Sequence, residues 1–170
     1  MRRHGATTAA IVAGVVLFMD QVAKYLVRAS LVVPGTSVPV VGDLLRLTFT
    51  RNDGAAFGLL PGSTALFIPV HVIVLGCIVG YLVRWRPERP WVIVALGLIA
   101  GGALGNLVDR VLLGWVTDFI QVPFNFPVFN VADSAIVIGV AMLVWWLLFG
   151  PTAAETPECE PAPHADGDAS

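Results

Sequence analysis

The chain has 170 residues, 56% of them hydrophobic and 13% charged, with a mean hydropathy of +0.81. Soluble domains carry roughly 25% charged residues, so a water-soluble globular protein is excluded and the length fits one domain with lipid as its solvent. The net charge of −2 conceals a split: residues 1–150 hold all ten Lys and Arg against seven acids (+3), and residues 151–170 hold five acids and no Lys or Arg (−5).

The first apolar run extends from about Ala6 to Val27, behind Arg2 and Arg3. A basic start and an apolar centre also mark a secretory signal peptide. Here Asp20 and Lys24 interrupt the far end and no A-x-A cleavage site follows, so the run reads as an uncleaved first transmembrane helix. Asp20 and Lys24 stand i,i+4 on one helical face, where they can pair. Lys24 is the only lysine. The pair either lets the end of the span tolerate two charges or meets a substrate directly.

The segment that follows carries strand signals. In L-L-R-L-T-F-T-R, Leu45, Leu47 and Phe49 alternate with Arg46, Thr48 and Thr50, the pattern of a half-buried strand. N-D-G at Asn52–Gly54 is a hairpin or tight-turn signal. A small β-sheet on the outer membrane face, between the first two helices, is expected.

Three further runs, Ala65–Val83, Trp91–Val108 and Val131–Phe149, each approach the roughly 20 residues a spanning helix needs. His71 lies within the second without a matched partner and reads as packed or hydrogen-bonded. Between the second and third runs, R-W-R-P-E-R-P sets Arg84, Arg86 and Arg89 within seven residues. The positive-inside tendency puts this loop and the Arg2/Arg3 terminus in the cytoplasm. Four spans then return the C-terminus to the cytoplasm and leave 29–64 and 109–130 outside. Trp85, Trp91, Trp115, Trp145 and Trp146 lie near span ends, as interfacial anchors do.

In G-G-A-L-G-N-L-V-D-R, Gly101, Gly102 and Gly105 admit a neighbouring backbone or a lipid chain. Asn106 and Arg110 share a face at i,i+4, while Asp109 projects elsewhere. Close helix packing above an acid–base pair explains these residues as well as a site does.

Asp118, in V-T-D-F-I, and Asp133, in F-N-V-A-D-S, flank one short loop at the edges of apolar segments. A carboxylate in such surroundings is costly unless paired or functional. Taken singly, Asp118 is an ordinary loop carboxylate and Asp133 an acid favoured at a helix N-terminus. Taken together, at one depth, they favour a site where two carboxyls share a proton and activate water. Asn130 stands i,i+3 from Asp133, on the same face.

Residues 151–170, rich in Pro, Ala and acid without a large apolar side chain, are expected to be disordered. Cys77 and Cys159 form no metal or redox spacing. No H-E-x-x-H, dinucleotide or P-loop fingerprint is present. A Ser–Lys dyad finds no serine near Lys24, and Ser134 points about 100° away from Asp133 on a helix. A proton-relaying transporter requires carboxylates near mid-membrane, but here they gather at the outer end. The G-x-G-D motif of other intramembrane aspartyl proteases is absent, and no internal repeat is visible.

Five stretches now stand in order: D-Q-V-A-K at 20–24, R-N-D-G-A-A-F at 51–57, G-G-A-L-G-N-L-V-D-R at 101–110, V-T-D-F-I at 116–120 and F-N-V-A-D-S at 129–134. In order and spacing they resemble the bacterial signal peptidase II family, the lipoprotein signal peptidases. The resemblance implies an integral membrane, mainly α fold with four transmembrane helices and a small extracytoplasmic sheet. Residues 1–150 would form the single peptidase domain and 151–170 a cytoplasmic tail. It implies an aspartic endopeptidase that removes signal peptides from prolipoproteins, cutting on the amino side of the S-diacylglyceryl-cysteine. Asp118 and Asp133 match the catalytic pair. Asp20, Lys24, Asn52, Gly102, Asn106, Asp109, Arg110 and Asn130 match substrate-binding or supporting positions. No metal or cofactor is expected. The expected partners are diacylglyceryl-modified prolipoproteins and the bilayer of the bacterial cell membrane, with no nucleic acid, and a monomer is expected.

Overall fold

The computed structural model describes residues 4–42, 44–54, 64–124 and 126–150. The four apolar runs become α1 (His4–Ser30), α2 (Thr64–Arg84), α3 (Pro90–Leu113) and α4 (Val131–Phe149). All four are long and apolar enough to cross a membrane. The acidic tail, Cys159 and residues 55–57 of the R-N-D-G-A-A-F stretch lie outside the described residues.

Small residues let α3 lie between α1 and α4. A Cβ placed on Gly97 would stand 2.8 Å from the Ala9 carbonyl, and one on Gly101 2.7 Å from that of Ala13, both on α1. On the other side, a Cβ on Gly139 of α4 would stand 2.7 Å from the Ala95 carbonyl of α3. Lipid tails are as apolar as Leu, so helix association in a bilayer rests on such close backbone packing and on polar contacts between helices. By contrast, α2 buries only Ile78, which packs on Val92, Leu96 and Ile99 of α3. His71 on α2 is hydrogen-bonded as expected, its Nδ1 2.6 Å from the Phe67 carbonyl.

The connecting segments build one antiparallel sheet in the order β1–β2–β3, from Ser37–Val41, Leu45–Asn52 and Val116–Gln121. β2 is the expected alternating strand. Its hairpin partner is the preceding β1, reached through Gly42 in the left-handed region (φ +48). The N-D-G turn makes no hairpin: the Asn52 Oδ1 accepts from the Gly54 N–H at 3.1 Å and closes a tight turn. β3 is the larger departure, because V-T-D-F-I-Q reads as loop by sequence. It pairs with β2 at Thr50–Asp118, Arg51–Thr117 and Asn52–Val116. The sheet between the first two helices thus gains a strand contributed from between the last two.

Gly114 makes the turn into β3. It caps α3 at φ +81, its N–H reaching the Arg110 carbonyl at 3.1 Å, a left-handed conformation that a side chain strains. Beneath the sheet, Val27 of α1 packs with Phe49 and Phe119. Trp115 lies against Phe49 at 6.0 Å between ring centroids and carries the Arg51 guanidinium on its face. Trp115 is therefore a packing residue as well as an end marker. Trp85, Trp91 and Trp145 are exposed near helix ends, as anchors are expected to be.

Candidate active site

Three asparagines and two aspartates meet where the sheet joins the helix bundle. Asp118 comes from β3, Asn52 from the end of β2, Asn106 from α3, and Asn130 and Asp133 from the start of α4. Asp118 is almost wholly buried and both its oxygens are held. Asn130 Nδ2 donates to its Oδ1 at 2.6 Å, and Asn52 Nδ2 to its Oδ2 at 2.9 Å. Asp133 Oδ1 accepts from Asn106 Nδ2 at 2.7 Å.

Asn130 is the joint of this network. Its Oδ1 accepts from the Asp133 backbone N–H at 2.9 Å, while the Asn130 N–H donates to Asp133 Oδ2 at 3.2 Å. That reciprocal pair is a capping box, which satisfies N–H groups a helix start leaves open. The same side chain donates to Asp118 and, at 3.2 Å, to Asn106 Oδ1. One amide therefore sets the first turn of α4 and the spacing of two carboxyls. Ser134 turns away, its hydroxyl donating to the Asn130 carbonyl at 2.9 Å.

Below lies a second polar layer. Lys24, with no exposed surface, directs its ammonium at Asp20 Oδ2 (2.9 Å), Asn106 Oδ1 (3.0 Å) and Asp109 Oδ2 (3.3 Å). Three acceptors match the three protons of an ammonium. Asp20 Oδ1 accepts from the Ala132 N–H at 2.9 Å, which ties α1 to the first turn of α4. Asp109 Oδ2 accepts from the Thr117 N–H at 2.9 Å, which ties α3 to β3. Arg28 completes the layer, 3.7 Å from Asp109 Oδ1 and donating to the Thr117 hydroxyl at 2.7 Å. Asp109 does not stand apart from Asn106, as its position along the helix suggested; both converge on Lys24. Gly105 makes room for the layer, since a Cβ there would lie 2.5 Å from Asp20 Oδ2.

All ten residues singled out by sequence thus gather here, in two tiers. Gly102 acts by omission: a Cβ would strike the Ala132 carbonyl and stand 2.7 Å from Ile136 Cγ1, forcing α3 from α4. Arg110 is loosely held. Its Nη2 is 3.4 Å from the Gly54 carbonyl and its Nη1 3.5 Å from that of Asn106. Its guanidinium lies over the Phe67 ring at 5.1 Å and its Nε has no partner among the described residues. Sequence reasoning missed Gln21, Arg28 and Thr117. Arg28 was findable, since Asp20, Lys24 and Arg28 recur every four residues on one face. Gln21 donates to the Gly105 carbonyl at 3.1 Å and also approaches Asp20 and Asp109.

The two tiers differ in charge. Among the described residues no ion pair joins Asp118 or Asp133 to a base. Burial, and after it the charge of Asp133, push the Asp118 carboxyl up to about 7 against the opposing pull of Asn52, Asn130 and Lys24. A carboxyl so raised keeps its proton well above the ordinary carboxylate range and loses it as pH rises through about 7. Such a pair can supply a general acid and a general base together. No group of three His, Cys, Asp or Glu among the described residues is disposed to hold a metal ion.

The family described as Signal peptidase (SPase) II matches residues 12–149. A lipoprotein signal peptidase of Pelotomaculum thermopropionicum is 49% identical over 139 residues, 81% of this chain and 90% of the relative. That of Moorella thermoacetica is 45% identical over 138 residues, 81% of this chain and 91% of the relative. A bacterial membrane enzyme solved in meso at 2.3 Å superposes with a TM-score of 0.81 at 36% identity, over 89% of this chain and 93% of its own. A second such structure, at 1.9 Å, gives 0.77 at 37% identity, over 85% and 95%.

Proposed function

This chain belongs to the signal peptidase II family, a family of membrane proteases, and from that premise we propose that it is an aspartic endopeptidase acting on prolipoproteins. It removes the signal peptide by cutting on the amino side of the S-diacylglyceryl-cysteine, with Asp118 and Asp133 as the catalytic pair. One observation carries the reading: Asn130 and Asn106 link two carboxyls that form no ion pair among the described residues.

The steps follow from the positions of the protons. Asp118, with its carboxyl up to about 7, holds the shared proton and hydrogen-bonds the scissile carbonyl. Asp133 takes a proton from water, which attacks the carbonyl carbon. The tetrahedral intermediate collapses as the leaving amine is protonated from the pair, and the carboxyls return to one proton between them. Asn52 and Asn130 hold Asp118, and Asn106 holds Asp133, so the pair is oriented before substrate arrives. Arg110, held by long bonds to Gly54 and Asn106 and without an Nε partner among the described residues, turns toward substrate backbone. The sparse packing of α2 leaves room beside α3 for acyl chains. Asp20, Lys24 and Asp109 support the pair from beneath and are too deeply buried to meet substrate.

Residues 1–150 act as one peptidase unit and as a monomer. Residues 151–170 take no part. The pair faces the extracytoplasmic side and both termini the cytoplasm, a reading supported by Arg84, Arg86 and Arg89 at the opposite end of the bundle.

The test is cleavage of a diacylglyceryl-modified prolipoprotein by the purified protein in detergent with chelator present. Wild type cuts before the lipidated cysteine. Asp118→Asn and Asp133→Asn lose cleavage by about four orders of magnitude or more while remaining folded. Activity surviving in either variant overturns the pair. Truncation after Gly150 leaves the rate unchanged.

A further inference from the structure

At the end of the bundle away from the aspartates, the starts of α1 and α3, the end of α2 and the loop joining α2 to α3 line a wedge-shaped cavity of about 1330 Å³. One wall is apolar, formed by Leu82 and Val83 of α2 with Ile93 and Val94 of α3. Past them the lining turns basic and aromatic, with Arg84, Trp85 and Arg86. Trp85 is stacked on Tyr81 at 5.6 Å and carries the Arg84 guanidinium at 5.7 Å. Among the described residues, Glu88 is the one acid in the lining.

We propose that this wedge binds an anionic phospholipid, with its phosphate on Arg84 and Arg86 and the upper part of its chains along Leu82, Val83, Ile93 and Val94. The order of the lining carries the assignment. Apolar residues belong to the spanning part of α2 and α3, and the guanidiniums begin where α2 ends, so the polarity changes along the cavity as it does along a lipid. Guanidiniums match phosphate oxygens in pairs, and basic pockets between spanning helices take lipid head groups. The volume exceeds what a bare phosphate needs, and the charge selects against zwitterionic lipid. The inference depends on neither the catalytic pair nor the orientation of the chain.

The test is native mass spectrometry of the full chain released from vesicles containing equal phosphatidylglycerol and phosphatidylcholine. Wild type retains phosphatidylglycerol in preference. Arg84→Ala/Arg86→Ala lowers that retention about thirtyfold, taking each cation near a membrane surface at its usual strength, and leaves phosphatidylcholine unchanged. Arg89→Ala removes the same charge one turn away, where the guanidinium lies on Trp146 at 4.8 Å outside the cavity. It is the control for general surface attraction. Equal losses from single Arg84→Ala, Arg86→Ala and Arg89→Ala variants overturn the site, as does a wild type without lipid preference. Displacement by millimolar inorganic phosphate overturns the lipid in favour of a free anion. Cleavage in detergent, unchanged in the Arg84 and Arg86 variants, shows that they are folded.

Discussion

Four aspartates lie within one end of this protein, and they divide into two pairs with opposite logic. Asp20 and Asp109 share a buried layer with Lys24 and Arg28, where two acids meet two bases and each carboxylate also takes a backbone N–H from another element. Among the described residues, Asp118 and Asp133 take their hydrogen bonds from neutral amides. Burial is similar for three of the four: Asp20 is 0% exposed, Asp109 1% and Asp118 2%. Depth therefore does not separate structural from reactive carboxyls here. Ion pairing does: the lower layer is fastened by ion pairs, while Asp118 and Asp133 feel the charge of Arg110, and Asp118 that of Lys24, without an ion pair among the described residues.

The sharpest way to break this comparison is to exchange the phenotypes. Removing a charge from the upper pair is expected to abolish cleavage without loss of fold. Removing one from the lower layer is expected to cost the fold itself. Lys24→Met leaves Asp20 and Asp109 buried beside a thioether, a destabilisation of about 3–5 kcal/mol, read as a lowered melting temperature in detergent. Neutralising all three positions together, as Asp20→Asn/Lys24→Met/Asp109→Asn, should restore most of that loss. A Lys24→Met protein that melts like wild type would show the layer to be dispensable.

Asn130→Ala tests the joint between the layers. Loss of the helix cap costs about 1 kcal/mol. Release of Asp118 from its 2.6 Å donor should lower kcat about a hundredfold, the scale of a misplacement near 1 Å. A smaller drop in kcat than in stability would relegate Asn130 to capping alone.

The pH dependence carries its own sign. With the Asp118 carboxyl at about 7, the shared proton departs as pH rises through that value, so kcat/KM is expected to fall on the alkaline side with a midpoint near it. The same upward displacement makes the folded state bind more protons than the unfolded one between the ordinary value of 3.8 and about 7. Stability therefore falls as pH rises across that window. Asp118→Asn removes this dependence, so its gain in melting temperature over wild type should grow from pH 4 to 7. A gain independent of pH would assign the effect to packing.

The smallest expected effect lies at Thr117. Thr117→Val keeps the shape and removes the acceptor for Arg28, with a loss of about 1 kcal/mol and a severalfold drop in kcat at unchanged KM. Thr117→Ser should restore both. A change in KM instead would mean that Thr117 acts through substrate binding.

What the sequence disclosed follows from what is local. Spans are runs of apolar residues, so their positions were legible to within a few residues, and Val131–Phe149 matched at both ends. The Asp20–Lys24 pairing and the shared face of Asn130 and Asp133 are helical periodicities. Even so, the N-x-x-D at 130–133 was read as an acid near a helix dipole rather than as a capping box. The strands were legible only where residue type alternates. β2 alternates apolar with polar side chains and displayed its period, although Phe49 alone among them is buried. β3 has its first four residues buried, so Asp118 was placed in a loop although it sits in a strand opposite Thr50. β1 carries Pro39 in an edge strand, where the missing N–H is tolerated, and its run of Val gave no alternation to read. Contacts such as Arg28 to Thr117, 89 positions apart, are set by tertiary packing and leave no local trace.

The bond between Lys24 and Asp20, closed within a single helix at 2.9 Å, also bears on how the protein enters the membrane. α1 emerges from synthesis well before α3, whose Asn106 and Asp109 later take two of the Lys24 protons. An isolated ammonium or carboxylate inside a span opposes insertion by about 2.5–3.5 kcal/mol at the helix centre. Paired four residues apart, the two charges enter as one neutral unit that needs no other helix. The first segment can thus settle in the bilayer alone and wait, already compensated, for the partners that will lock it.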